Sequence, residues 1–189
     1  MTHPFMEDAA AALAAEGIGT FRYQFPFFER GIRRPDPRPV LLATVRAVVE
    51  VASREAGGLP LLAGGKSMGG RMTSLAAATE GLSGVCGLVF FGFPLHAAGK
   101  PSLERGDHLG ETALPLLFLQ GTRDRLADLS LLRPLCADLG ERATLHVVED
   151  ADHSFHMTKR SGRTDAEVVE ELARVTSSWV TRVLARSDA

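Results

Sequence analysis

Cysteine, excess charge and long hydrophobic runs are all scarce in this chain of 189 residues. The two cysteines, Cys86 and Cys136, lie in apolar segments, which indicates buried thiols and argues against a disulfide framework. A net charge of −2 provides no basic surplus, so the composition favours neither nucleic acid nor an anionic membrane as a partner.

Targeting and membrane signals are equally scarce. No run approaches the roughly 18 apolar residues of a membrane span. The apolar residues 9–15 are flanked by acidic side chains and are not preceded by a Lys/Arg region, so they do not form a signal peptide. We therefore predict a cytoplasmic protein with no membrane partner.

The six histidines show no metal-ligand spacing, so we predict no metal and no cofactor. His96 follows a buried strand, and we expect it to line a substrate cleft. The other histidines are predicted to be structural or solvated; they are His3, His108, His146 and His156.

Helical and strand-like patterns alternate along the chain, without repeats or low-complexity linkers. The predicted helices cover residues 4–16, 40–56, 71–79, 129–139 and 168–183. The predicted strands cover residues 18–25, 61–63, 85–91, 114–119 and 144–148. The first is expected either to be peripheral or to reach into a site, because its polar and apolar side chains alternate. This order indicates the α/β class, with a mostly parallel sheet, helices on both faces and a single domain over residues 1–189.

Residues 65–69 match the pattern G-x-S-x-G, with Ser67 between Gly65 and Gly69. An apolar strand precedes the pattern and a helical segment follows it, which is the context of a nucleophile elbow. In such a turn we expect both flanking glycines to allow the close approach of strand and helix. The same residues resemble the end of a phosphate-binding loop, but the first glycine of that motif is replaced by Pro60.

Two later loops supply partners for Ser67. Asp124 follows the strand that ends at residue 119, and His153 follows the strand that ends at residue 148. The order Ser, Asp, His is the order of α/β-hydrolases and differs from that of chymotrypsin-like and subtilisin-like proteases. We therefore expect His153 to take the Ser67 proton, Asp124 to orient the imidazole and the Met68 backbone N–H to bind the oxyanion.

Several residues near this constellation have more than one interpretation. Asp128 and Asp152 are the alternative acids, although Asp128 is near the start of a helix and Asp152 is adjacent to His153. Lys66 and Arg71 flank the elbow, where they either bind an acidic substrate group or remain solvated.

Four motifs are similar to those of the small, capless α/β-hydrolases. They are GGKSMGGR at 64–71, HPFM at 3–6, QGTRD at 120–124 and DHSF at 152–155. The nearest branch is the one called KANL-like, related to the dienelactone hydrolases, and the resemblance covers nearly the whole chain. It implies an α/β-hydrolase sheet and places Ser67, Asp124 and His153 on the triad positions of the family. Some members of the branch, including a subunit of a eukaryotic chromatin complex, serve as interaction modules.

The sequence departs from these relatives at its start. In relatives, a strand and a His-Gly-Ala-Gly type loop precede the HPFM segment, and that loop supplies the second oxyanion donor. We therefore expect the sheet to lack the N-terminal strands of the full fold, either because the natural start lies upstream of Met1 or because the short form is genuine. Loss of one donor typically lowers turnover on the order of 10² to 10³. The short form would also expose a strand edge suited to a homo-oligomer.

Together these features predict a serine hydrolase that acts on a small ester, thioester or lactone through an acyl-enzyme. The short segment 93–111, where larger relatives carry a cap domain, predicts an open cleft and a small-molecule acyl substrate. The alternative is a non-catalytic interaction module with the hydrolase fold and a vestigial triad.

Overall fold

A computed structural model of the protein describes residues 3–187. Its four strands form one sheet in the order β1-β2-β3-β4, and each neighbouring pair is parallel. The strands are β1 Leu61–Lys66, β2 Val85–Phe91, β3 Leu116–Gly121 and β4 Ala143–Val148. The predicted α/β class and mostly parallel sheet are confirmed, and β1 and β4 form the two edges of this sheet.

In the described part of the chain, six α-helices accompany the sheet. They are α1 Pro4–Ala15, α2 Pro26–Glu29, α3 Arg38–Glu55, α4 Met68–Glu80, α5 Leu129–Asp138 and α6 Asp165–Ser187. Three short 3-10 helices cover Asp107–Glu111, Gly140–Arg142 and Lys159–Ser161. None of the helices within residues 3–187 is both long enough and apolar enough to cross a membrane.

Alternate residues of the central strands point into two separate apolar layers. Leu88 and Phe90 of β2 pack in one cluster with side chains of α3, α4 and α5. Val89 and Phe91 pack in the other cluster with side chains of α1 and α6. Since successive side chains of a strand face opposite sides of a sheet, the continuous apolar run of β2 buries both faces. The predicted placement of helices on both faces is confirmed.

The strand predicted over residues 18–25 is wrong: these residues form an irregular segment. The segment is not in the ladder order of the sheet and is held instead by aromatic contacts, with the rings of Tyr23 and Phe25 in an edge-to-face contact at 5.6 Å. Phe21 shares their alternation, yet 53% of its surface is exposed. The alternation of apolar and polar residues describes the side chains of the segment. A β-strand also requires hydrogen bonds between its main chain and a neighbouring strand.

Candidate active site

Ser67 lies at the sharp turn between β1 and α4, as the G-x-S-x-G pattern predicted. Its backbone has φ 52° and ψ −120°, a conformation that is unfavourable for a residue with a side chain by about 1–3 kcal/mol. Although Ser67 occupies the N-cap position of α4, its hydroxyl makes no capping hydrogen bond to the helix. The hydroxyl is therefore available for a partner outside the helix.

The close approach of β1 and α4 depends on Gly65 and Gly70. A Cβ on Gly65 would lie 3.2 Å from backbone atoms of α4, and a Cβ on Gly70 would lie 2.7 Å from the Gly65 carbonyl oxygen. By contrast, a Cβ on Gly69 would meet no atom within 4 Å. The expectation that both motif glycines permit the approach is right for Gly65 and wrong for Gly69, because Gly70 is the helix residue in contact with the strand.

The His153 imidazole connects Ser67 with Asp124. Nε2 of His153 lies 2.8 Å from Ser67 Oγ, and Nδ1 lies 2.7 Å from Asp124 Oδ2. Because a carboxylate accepts, Nδ1 carries the proton of the neutral ring and Nε2 accepts the Ser67 hydroxyl proton. The Asp124 side chain is completely buried, whereas 23% of the His153 side chain is exposed. The structure brings the three residues together in a geometry that is compatible with a catalytic triad.

The Asp124 carboxylate is oriented by further donors. Its Oδ1 accepts from the backbone N–H of Leu126 at 2.8 Å, and Gln120 Nε2 donates to its Oδ2. Gln120 is itself fully buried, and its Oε1 accepts from the backbone N–H of Phe93 at 3.0 Å. Gln120 begins the QGTRD motif, but the motif does not predict its contact with Asp124; the available signal is one amide side chain at the end of the otherwise apolar β3.

Asp128 and Asp152, the alternative acids, both stabilise backbone turns. Asp128 is the N-cap of α5, where its Oδ1 accepts from the backbone N–H of Ser130 at 2.8 Å. Asp152 Oδ1 accepts from two backbone N–H groups of the turn that carries His153, at 2.8 and 3.0 Å. Asp124 is thus the acid that contacts the His153 ring.

The backbone N–H of Met68, the predicted oxyanion donor, is at the start of α4 directly after Ser67. The first N–H groups of a helix have no acceptor within it and carry a partial positive charge. This position suits donation to an oxygen that becomes negative on a carbonyl bound at Ser67. The role of Met68 stays a prediction.

His96, the other predicted substrate contact, is buried and engaged on both sides of its ring. Nδ1 bonds to the Ala97 carbonyl oxygen at 2.9 Å, and Nε2 accepts from the backbone N–H of Asp128 at 2.8 Å. Through Nδ1 the ring bonds to its own loop after β2, and through Nε2 it bonds to the loop after β3, so His96 connects the two loops. His96 and Asp124 also line a cavity of about 710 Å³. A contact between His96 and substrate stays a prediction.

Lys66, directly before the nucleophile, is directed into the protein. Its Nζ donates to the His153 carbonyl oxygen at 2.7 Å and lies 4.5 Å from the centroid of the Phe5 ring. Burial lowers the pKa of the Lys66 ammonium to about 8, and the negative charges of Asp124 and Asp152 act in the opposite direction. Lys66 therefore neither remains solvated nor extends toward a substrate in this structure.

Arg71 of α4 and His108 lie close together. Burial and the positive charges of Arg105 and Arg38 lower the pKa of the Arg71 guanidinium, whose Nε is buried without a hydrogen-bond partner in the structure. His108 Nε2 lies 2.7 Å from Ser74 Oγ. Burial, and to a smaller extent the Arg71 charge, lower the pKa of His108 to about 4, which keeps the ring neutral at pH 7.

Two of the remaining histidines bind carboxylates away from Ser67. His146 Nε2 lies 2.6 Å from Glu171 Oε1, and His156 Nδ1 lies 2.7 Å from Asp165 Oδ2. Hydrogen bonding to Asp165 raises the pKa of His156. Across residues 3–187, no three His, Cys, Asp or Glu side chains are grouped in a way that could hold a metal ion.

Solved structures from several bacteria are similar to this fold. An alpha-beta serine hydrolase homologue from Coxiella burnetii has a TM-score of 0.72 and 22% identity, over 92% of this chain and 76% of that chain. A serine hydrolase without a lid from Xanthomonas campestris has a TM-score of 0.70 and 25% identity, over 95% and 75% of the two chains. A dienelactone hydrolase from Anabaena variabilis has a TM-score of 0.68 and 18% identity, over 96% and 80%.

These similarities agree with the motifs of the sequence. A lidless serine hydrolase and a dienelactone hydrolase are both among the neighbours, which confirms the resemblance to small, capless α/β-hydrolases related to the dienelactone hydrolases. The family described as an alpha/beta hydrolase domain matches residues 1–181. With this match over nearly its whole length, the chain belongs to the alpha/beta hydrolase domain family.

Proposed function

We propose that the protein is a serine hydrolase that cleaves a small ester, thioester or lactone. Ser67 is the nucleophile, His153 the general base and Asp124 the residue that orients the base. The observation that carries this proposal is the unbroken hydrogen-bond path from Ser67 Oγ through both nitrogens of His153 to the buried Asp124 carboxylate. Membership of the hydrolase family supports the reaction class.

Acylation follows from this path. Ser67 Oγ attacks the substrate carbonyl carbon while His153 Nε2 takes the hydroxyl proton. The buried Asp124 carboxylate stabilises the imidazolium that forms and keeps Nδ1 protonated. When the tetrahedral intermediate collapses, its bond to the leaving group breaks, and the leaving alcohol or thiol takes the proton from Nε2. The acyl group is then esterified to Ser67.

Deacylation uses the same residues in the reverse order. A water molecule attacks the acyl carbon and gives one proton to His153 Nε2. The bond between the acyl carbon and Ser67 Oγ then breaks, and Oγ recovers its proton from Nε2. The carboxylic acid leaves, and the site returns to the hydrogen-bonded state seen in the structure.

Met68 is the oxyanion donor that we assign. Its N–H belongs to the unsatisfied first turn of α4, next to the acyl carbon that would be bound to Ser67. We assign no second donor among residues 3–187. Because one donor typically contributes on the order of 10² to 10³ in turnover, we expect slower hydrolysis than a two-donor site would support.

The segment between β2 and β3 supports a small or surface-presented acyl group. Its residues 92–115 contain one 3-10 helix, Asp107–Glu111, and one isolated bridge between Ala97 and Lys100. No helix or strand in this segment is long enough to form a separate cap domain over Ser67. The Xanthomonas campestris neighbour, which is described as lacking a lid, has the same general architecture.

A fluorophosphonate probe tests the proposal, because it reacts covalently with an activated serine. Wild-type protein should be labelled, and Ser67→Ala should not. Ser83→Ala is the matched control, since Ser83 is exposed in the turn before β2 and should leave labelling unchanged. Folded wild-type protein that is not labelled would contradict the proposal and favour a non-catalytic interaction module. For a labelled protein, p-nitrophenyl esters of increasing chain length then identify the preferred acyl group.

A further inference from the structure

Lys66 lies on the face of the sheet that α1 and α6 cover. As the last residue of β1, it shares a strand face with Leu62, which packs in the apolar cluster between the sheet, α1 and α6. Phe5 and Phe155 belong to the same cluster. The strand alternation therefore directs an ammonium group into an apolar layer, where it is unfavourable unless other groups stabilise it.

Three groups surround this ammonium. Nζ donates to the His153 carbonyl oxygen at 2.7 Å and lies 4.5 and 5.2 Å from the ring centroids of Phe5 and Phe155. The two rings are stacked, with centroids 5.5 Å apart. An aromatic face attracts a cation, most strongly where water is excluded. We call this arrangement of Lys66, the His153 carbonyl and the two rings the Lys66 clamp.

The turn that carries His153 is closed by its own hydrogen bonds. Phe155 N donates to the Asp152 carbonyl oxygen at 2.9 Å, and Asp152 N donates to the His156 carbonyl oxygen at 3.2 Å. These bonds fix the shape of the turn but not its distance from β1. The Lys66 clamp joins the turn to β1, and Ser67 is the next residue after Lys66. The nucleophile and the base are thus linked through one side chain.

We propose that Lys66 is a positioning residue, whose ammonium holds the main chain of His153 and thereby sets the distance between His153 Nε2 and Ser67 Oγ. Its effect on turnover rests on the proposed function, whereas its effect on the geometry of His153 does not. Displacement of a reacting group by about 1 Å can lower a rate on the order of 10²-fold. Loss of the clamp should therefore affect the chemical step more than substrate binding.

The clamp also gives the rate a dependence on pH. The charged groups that face Nζ are Asp124 from the loop after β3 and Asp152 from the loop after β4, while α1 contributes the Phe5 ring. Burial lowers the pKa of the Lys66 ammonium to about 8, so its charge is present at pH 7 and is lost as the pH rises above 8. A neutral amine loses the attraction to both rings and the charge-assisted hydrogen bond.

Three variants test the proposal. Lys66→Met removes the charge and the donor, Lys66→Arg keeps both at all accessible pH values, and Lys159→Met is the control at an exposed lysine. We expect Lys66→Met to lower kcat for p-nitrophenyl acetate by about 10- to 100-fold with KM within about threefold. Lys159→Met should match the wild type. A Lys66→Met protein with wild-type kcat would overturn the proposal.

The pH profile separates positioning from simple stabilisation. The rate of fluorophosphonate labelling should fall above about pH 8 in the wild type, following the lowered pKa of Lys66. In Lys66→Arg this fall should move to higher pH, because a guanidinium keeps its charge. If Lys66→Met does not give a cooperative melting transition, the proposal is tested by the pH profiles of Lys66→Arg and the wild type. Identical profiles for these two proteins overturn it.

A proton NMR measurement reads the geometry without any substrate. The low-field resonance of the His153 Nδ1 proton is identified by its absence in His153→Gln. It should shift or broaden in Lys66→Met and stay unchanged in Lys159→Met. An unchanged resonance in folded Lys66→Met overturns the proposal. If the wild type neither hydrolyses esters nor reacts with the probe, the proposed function fails, and this resonance still decides whether Lys66 positions His153.

Discussion

His153 Nδ1 lies 2.7 Å from Asp124 Oδ2, although the two residues are 29 positions apart in the chain. Their loops follow β4 and β3, which are neighbouring parallel strands and therefore end at the same edge of the sheet. The hydrogen bond determines which nitrogen of His153 carries the proton. Loss of this hydrogen bond should therefore change the reactivity of His153 while leaving the structure of the site nearly unchanged.

We expect Asp124→Asn to lower kcat on the order of 10⁴, because an amide that donates to Nδ1 stabilises the wrong tautomer of His153. The rate of fluorophosphonate labelling and the melting temperature together test this prediction. Asp128→Asn is the control, since Asn also caps helices well and Asp128 bonds to Ser130 rather than to the imidazole. A comparable loss of activity in Asp128→Asn would show that the acid has been assigned wrongly.

Gly92 and Gly162 form a matched pair, because both have a φ of 70°. A Cβ on Gly92 would lie 3.3 Å from His153 Nδ1, whereas one on Gly162 would meet nothing within 4 Å. Both alanine variants should lose about 1–2 kcal/mol of unfolding free energy in urea, because both place a side chain in left-handed backbone. Only Gly92→Ala should also lower the labelling rate, by about tenfold. Equal labelling rates in the two variants would contradict the contact with His153.

The elbow glycines provide a second matched pair, with stability as the measurement. Gly70→Ala should lower the free energy of unfolding by about 1–3 kcal/mol, because its Cβ would lie 2.7 Å from the Gly65 carbonyl oxygen. Gly69→Ala should instead raise it by about 0.5–1 kcal/mol, since alanine is the better helix former and the space is open. Thermal unfolding that ranks the two variants in the opposite order would contradict this account of the turn.

His108 gives the fold a dependence on pH. Burial lowers its pKa from 6.5 to about 4 in the folded protein, so the unfolded chain binds a proton at a higher pH than the folded one. The contribution to stability is complete above pH 6.5 and is lost as the pH falls toward 4. The shift corresponds to about 3 kcal/mol, which partial exposure of the ring reduces to about 2 kcal/mol.

The variant His108→Gln isolates this effect, because its amide can bond to Ser74 but does not titrate. Between pH 7 and pH 4.5, the wild type should lose about 2 kcal/mol more unfolding free energy than the variant. Urea unfolding at the two pH values measures the difference. If the difference in unfolding free energy between the wild type and His108→Gln is the same at both pH values, His108 is not the source of the pH dependence.

Most of the candidate site was predictable because its residues directly follow apolar runs. Ser67, Asp124 and His153 come after β1, β3 and β4, and the carboxyl ends of parallel strands lie at one edge of a sheet. Chain order and strand type were therefore enough to select the three residues that the structure joins by hydrogen bonds. The contact of Gln120 with Asp124 was not predicted, since an amide at a strand end does not indicate which side chain it will bind.

The sequence by itself determined the parallel α/β sheet, the helices on both of its faces and the position of the elbow. The first two depend on the order of helical and strand-like segments along the chain, and the elbow depends on a local motif between a strand and a helix. Only the tertiary structure decided that residues 18–25 form no strand, that Gly70 rather than Gly69 contacts β1, and that Lys66 bonds to the His153 turn, 87 positions away. These facts depend on which backbone lies next to a segment and at what distance. Residue order within a segment does not specify these neighbours and distances. They are set by the packing of segments that are far apart in the chain.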